Sequence, residues 1–283
     1  MTTEQFKNIA DERSPTPKMP VLFVGHGSPM NGVETNVYSL AWEELGEKFA
    51  TPNAVLCISA HWLTAGTFVH ISQTPKTIHD FWGFPKELYE VHYRCPGAPT
   101  VAREVQSLIT RTDVKPDTDW GLDHGTWTVM RRLFPNADVP VFQMSIDHTK
   151  PSEFHYGIGK ELTALREKGV LIVGSGNIVH NLRVMRYDRD AKPYDWAVEF
   201  DELTKQLIAA GDHRSLIAYE KFGKVASLAV PTPDHYWPLL YTIALQEESD
   251  PVSFVIEGIT NGSVSMRTII IGKYNTEETI KTG

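Results

Sequence analysis

The stretch Val21-Leu22-Phe23-Val24-Gly25-His26-Gly27-Ser28-Pro29-Met30 decides the reading of this chain. With Met19-Pro20 before it, its first half is an apolar, partly β-branched run of the kind found in a strand inside a sheet. Its second half sets an imidazole between two glycines and closes on a proline. Glycine admits sharp or positive-φ backbone and close approach of a ligand, and proline cannot continue a strand ladder. The stretch predicts a histidine presented on a tight turn at the end of a buried strand. One such histidine is ordinarily just a turn residue, so the question is whether others converge on it.

Similar apolar runs recur at Ala54–Ser59, Val139–Ser145, Val170–Val173, Val252–Val255 and Met266–Ile271. Helical patterns lie between them, at Tyr38–Phe49, Thr100–Thr110, Ser152–Lys168, Asp195–Ala210 and Tyr236–Leu245. This alternation predicts an α/β fold: a single domain with a central, mostly parallel or mixed sheet flanked by helices, and a site at the carboxyl ends of the strands. No internal repeat or low-complexity linker divides the chain. Residues 1–18, polar and proline-bearing, read as an N-terminal arm, and 19–283 as one catalytic domain.

The 283 residues are 41% hydrophobic and 22% charged, with a formal net charge of −8. That acidity, with no basic stripe, argues against a nucleic-acid partner. It leaves room for a small anionic substrate met by one local arginine. Two cysteines, Cys57 and Cys95, are too few for a disulfide framework and form no CxxC pair, which suits a reducing cytoplasm. Neither a signal-peptide core nor a run of 18 apolar residues is present, so no membrane partner and a cytoplasmic location are expected.

Of the eleven histidines, His26, His61 and His180 each follow closely on a predicted strand. His124 sits in Gly121-Leu122-Asp123-His124-Gly125-Thr126-Trp127, and His235 in Pro231-Thr232-Pro233-Asp234-His235-Tyr236, at the start of a helix. Each alone has an ordinary explanation, as a satisfied core histidine, a cap, or a partner of Asp234. Together, imidazoles gathered at element ends favour metal binding or acid–base work, because imidazole ligates zinc and iron and titrates near neutrality. Asp123 is a candidate to orient His124, with an ordinary turn contact as the alternative. His70, His148, His155 and His213 read as surface or helix-face residues. His79 and His92 belong to an aromatic, glycine- and proline-rich segment over 77–99 that reads as a long loop, a lid or a pocket wall. Gly174-Ser175-Gly176 lacks the third glycine and the lysine of phosphate-binding loops, no HExxH occurs, and Gly27-Ser28-Pro29 is not a nucleophile elbow.

The segments HGSPM, SAHW, TIHDFWGFP, GLDHGTW, GNIVHNLR and PTPDHYWPLLY occur in that order over residues 20–270. In this the chain closely resembles the class III extradiol ring-cleaving dioxygenases, specifically the 4,5-DOPA dioxygenase extradiol branch of bacteria and plants. The resemblance implies an oxidoreductase that opens the ring of a catechol such as DOPA with O₂, giving a semialdehyde. It also implies one mononuclear divalent metal held by His26, His61 and His235. His180 would be a further ligand or the acid/base, and His124 a second imidazole toward substrate or oxygen. The wider class completes its iron site with a glutamate, whereas the motif here offers His235. Fe(II) is expected for activity, and an all-imidazole set also suits Zn(II). A catechol must lose protons to chelate and the later O–O cleavage needs an acid, roles assigned to His180, with His124 stabilising the developing anion. Phe81 and Trp82, with Phe84 nearby, are expected to stack on the ring, and Arg183 to meet a substrate carboxylate. Two other readings stay open on the residues alone: a zinc hydrolase acting on an amide or ester, and a metal-binding module without catalysis.

Overall fold

The computed structural model describes residues 16–274. Its strands are β1 (Val21–Gly25), β2 (Ala54–Thr64), β3 (Thr67–His70), β4 (Val114–Asp117), β5 (Val141–Asp147), β6 (Val170–Gly176), β7 (Val252–Ile256), β8 (Ile259–Thr260), β9 (Val264–Ser265) and β10 (Thr268–Ile271). Eight form one sheet in the order β4-β3-β5-β2-β6-β1-β10-β7, and β8 pairs with β9 apart from it. The central strands β5, β2, β6 and β1 run parallel. The flanks do not: β3 opposes β5, and β10 opposes β1. The sheet is therefore mixed around a parallel centre.

Every residue of β1, β5 and β6 is buried, because helices cover both faces and neither side of these strands meets water. Alternation along β1 sends Val21 and Phe23 to one core and Leu22 and Val24 to the other. The first face is covered by the helices Pro99–Leu108, Ser152–Glu161, Asp195–Ala209 and Trp237–Ile243. The second is covered by Val37–Lys48 and His124–Leu133.

Three local expectations are corrected. His61 does not follow a strand: β2 runs on to Thr64, and the β2–β5 register shifts between Ile58 and Leu63, so His61 sits within an irregular stretch of strand. The helix read over 152–168 is two, Ser152–Glu161 and Ala164–Glu167. His70 and His155 are not surface residues but lie fully in the interior. Of the arm read over 1–18, residues 1–15 lie outside the described residues, as do 275–283 of the domain. Among the described residues, no helix is long and apolar enough to cross a membrane.

Candidate active site

His26 leaves the end of β1 on a turn whose next residue, Gly27, has φ of +58°, a left-handed backbone that glycine adopts without strain. The backbone N–H of His26 donates to Gly176 O at 3.0 Å, so the parallel β1–β6 pair fixes its position. Its ring is fixed too. Ser175 Oγ donates its one hydrogen to Gly125 O at 2.6 Å and lies 3.0 Å from His26 Nδ1. A hydroxyl that has given its proton away can only accept, so the proton in the second bond belongs to Nδ1. His26 Nε2 is left with a bare lone pair, 3.0 Å from Nε2 of His61.

His61 reaches this point because residue 125 is glycine: a Cβ there would lie 2.6 Å from Ser59 Oγ and 2.8 Å from His61 Cδ2. The ring centroids of His61 and His124 are 3.8 Å apart. His124 opens the helix His124–Leu133, whose N-cap is Asp123. Asp123 does not hold the imidazole. It is fully buried and accepts from Thr126 N at 3.0 Å, Ser59 Oγ at 2.7 Å and Gln143 Nε2 at 2.7 Å. The carboxylate on the His124 ring is Asp80, whose Oδ1 accepts from His124 N at 2.9 Å while Oδ2 lies 3.0 Å from His124 Nδ1. Oδ2 is also 3.7 Å from His61 Nδ1.

His235 precedes the helix Trp237–Ile243, and its carbonyl accepts from Asn177 N at 2.9 Å. Its Nδ1 is hydrogen-bonded to the carboxylate of Asp234, leaving Nε2 free. His180 stacks face to face on His235, with ring centroids 3.5 Å apart and planes 9° from parallel.

Burial, reinforced by the neighbouring imidazoles, holds His26, His61 and His180 well below the ordinary histidine range. The neutral form is the one that can ligate or take up a proton. Burial works against the charge of Asp80 and Asp234, but hydrogen bonds from His124 and His235 outweigh it and bring both carboxyls below their usual range.

These residues fit a metal ion. Ligand atoms of His26, His61 and His235 lie within 4.8 Å of one another. Two nitrogens bound at right angles to one divalent ion, each at about 2.1 Å, sit about 3 Å apart, as His26 and His61 do. Without an ion, a proton must stand between the two nitrogens. Two further groupings of ligand atoms, His61–Asp80–His124 and His180–Asp234–His235, share residues with the first. In each of these the carboxylate is bonded to the Nδ1 of a histidine, the usual outer partner of an imidazole ligand.

The histidines open on a cavity of about 450 Å³, inside the range of small-molecule sites. Phe81, Trp82 and Phe84 line one wall and Leu182, Met185 and Val264 line others. The structure thus gathers His26, His61, His124, His180, His235, Phe81 and Trp82 around one space. Arg183 is exposed on the 3-10 turn Leu182–Val184 and does not line it, although Leu182 and Met185 do. His79, the histidine beside Asp80, points elsewhere, with Nε2 3.0 Å from Val91 O. Sequence reasoning passed over Asp80 and Ser175. Asp80 lies in the HDFWGFP loop beside His79, the residue type that signals metal or acid–base chemistry, and carries no such signal of its own.

Residues 17–265 match the family model described as the catalytic LigB subunit of aromatic ring-opening dioxygenase. The chain is 44% identical over 259 residues to 4,5-DOPA dioxygenase extradiol of Escherichia coli K12, covering 90% of this chain and 95% of that protein. It is 32% identical over 249 residues to the Beta vulgaris protein of the same name, covering 86% of this chain and 92% of that one. The crystal structure of an uncharacterized Escherichia coli K12 protein superposes with a TM-score of 0.79 at 39% identity, covering 90% of this chain and all of that one. The chain thus belongs to the LigB family of aromatic ring-opening dioxygenases and is an extradiol ring-cleaving enzyme, with a histidine cluster able to hold a metal ion.

Proposed function

We propose that the enzyme opens the ring of a catechol such as DOPA with O₂ to a semialdehyde, with His26, His61 and His235 as ligands of one Fe(II) ion that Zn(II) can replace without activity. The observation that carries this is the convergence of three imidazoles, each ligand atom within 4.8 Å of the others, beside an aromatic wall. Such an ion, when bound, would be chelated by the deprotonated catechol and would let O₂ react with it.

The remaining roles fall to the protein. Phe81 and Trp82 flank the ring and restrict the entry of water from the loop side. His180 takes a proton from a catechol hydroxyl at a ring nitrogen and returns it during O–O cleavage. Its face-to-face stacking on His235 leaves it outside the His26–His61–His235 grouping, which supports acid–base work over ligation. His124 takes the second catechol proton at its Nε2, and the N–H so formed faces the anion that develops as oxygen adds. Arg183, beside the mouth, is the cation proposed for a substrate carboxylate. Both cysteines are unpaired and buried, in keeping with a cytoplasmic enzyme.

The test is anaerobic reconstitution with Fe(II), then DOPA and air, with oxygen uptake and a yellow product recorded together. Turnover that requires Fe(II) and is absent with zinc is expected. A filled site inert to DOPA and simple catechols would overturn the proposal. Equal rates for catechols with and without a carboxylate would remove Arg183 from it.

A further inference from the structure

We propose that Asp80 is a positioning residue that fixes His124 as the Nδ1–H tautomer, keeps its Nε2 bare toward the cavity, and ties the aromatic loop to that imidazole. The role given to His124 rests on the functional reading above; the tautomer does not.

Asp80 Oδ1 and Oδ2 receive the backbone N–H and Nδ1 of the same residue, His124, at 2.9 and 3.0 Å. An ionised carboxylate only accepts, so the proton on the second bond sits on Nδ1. The backbone N–H in the first bond is one of the unpartnered amides at the start of the helix His124–Leu133. A carboxylate is favoured at that end by the helix dipole. Both bonds therefore set the ring's position and its rotation at once.

Asp80 also lies between the loop and the site. Phe81, next in sequence, packs edge-on against His124 with centroids 5.6 Å apart. The loop has other anchors: Ile78 N donates to Leu122 O at 2.7 Å, Leu122 N to Lys76 O at 2.8 Å, and Trp127 Nε1 to Ile78 O at 2.9 Å. Changing Asp80 thus leaves the loop attached, so a chemical effect can be separated from unfolding.

Asp80→Asn is the discriminating variant. Its amide oxygen can still accept from the backbone of His124, but its NH₂ group faces Nδ1 and demands a bare nitrogen there, which moves the proton to Nε2. Histidine ring ¹⁵N NMR of the metal-free protein should show His124 as Nδ1–H in the wild type and Nε2–H in Asp80→Asn, with the melting temperature unchanged. In the Fe(II) enzyme, kcat should fall about 10- to 100-fold, as for loss of other outer partners of site histidines, with KM for the catechol and bound metal unchanged. Asp80→Ala should show the same loss of kcat and a lower melting temperature. An Nε2–H His124 in the wild type, or full kcat in Asp80→Asn, would overturn the proposal. So would a drop in bound metal in Asp80→Asn, which would make Asp80 a ligand. If the wild type turns over no catechol, the functional reading fails, and the NMR result still decides the tautomer.

Discussion

Two of the polar clusters buried among the described residues are built on opposite terms. Near β10, Arg267 is 1% exposed and surrounded by carboxylates: it bonds to Asp201, to Glu202 at 2.6 Å, and lies 3.1 Å from Glu257. Ser265 Oγ satisfies the other oxygen of Asp201 at 2.6 Å. The Nε and Nη2 donors of Arg267 meet acceptors of the same chain, and Nη1 is left with the charge of Glu257 alone. At the carboxyl ends of β1 and β6, five imidazoles crowd together, and the Nε2 atoms of His26 and His61 face one another. The outer nitrogens of His26, His124 and His235 are satisfied by Ser175, Asp80 and Asp234, but the inner ones are left for something brought from outside. Polar groups that are buried and completed by the chain hold the fold, and those completed only on one side mark the site.

The largest expected effect falls on the first cluster. Arg267→Ala leaves Asp201 buried without its cation and should cost about 3–5 kcal/mol in urea unfolding, whereas Arg267→Met with Asp201→Leu should be nearly neutral. A single-variant cost under about 1 kcal/mol would break the comparison. An intermediate case is His155, a lone buried histidine 0% exposed, whose Nδ1 lies 3.0 Å from the Tyr241 hydroxyl. Burial lowers it from 6.5 to about 4, so in the folded chain it stays neutral where the unfolded chain is protonated. Protons then favour unfolding. The contribution is whole above pH 6.5 and is lost as pH falls toward 4, by about 3 kcal/mol at most. His155→Gln should flatten that part of the stability–pH curve.

At the histidine cluster the effects are smaller and of the opposite sense. Zn(II) at about 100 times its Kd should stabilise the wild type by about 2.7 kcal/mol. His26→Ala should abolish that gain, as read by melting temperature with and without metal. In metal-free protein, His61→Leu should raise stability by about 0.5–2 kcal/mol, because it relieves an arrangement kept for function. A destabilised His61→Leu would mean that the cluster is completed by the chain after all.

Most of this contrast could be read in the sequence on one side only. The parallel centre was legible because β1, β2 and β6 open on continuous apolar runs, and buried parallel strands write themselves that way. The strands β3 and β4 were not, since each has four residues and Lys115-Pro116-Asp117 carries no strand pattern. The helix His124–Leu133 hid for another reason. Eight of its ten residues are buried, so it has no polar stripe, and it holds a glycine, two threonines and a valine. The imidazoles announced themselves by residue type. Their partners did not: Asp80 meets His124 across 44 positions and Ser175 meets His26 across 149. Such pairings come from the way a loop and two strand ends meet, which local sequence does not encode. Arg267, likewise, stands in a strand-like run where nothing foretells three carboxylates around it.

How many ions the histidine cluster takes is the property that decides most. Anaerobic Fe(II) titration, with metal analysis and oxygen uptake on a catechol measured at each step, should saturate at one ion per chain, with activity rising in proportion. His26→Ala and His235→Ala should bind none. Full binding in either variant, or activity that ignores the first equivalent, would contradict a three-histidine site for a single ion.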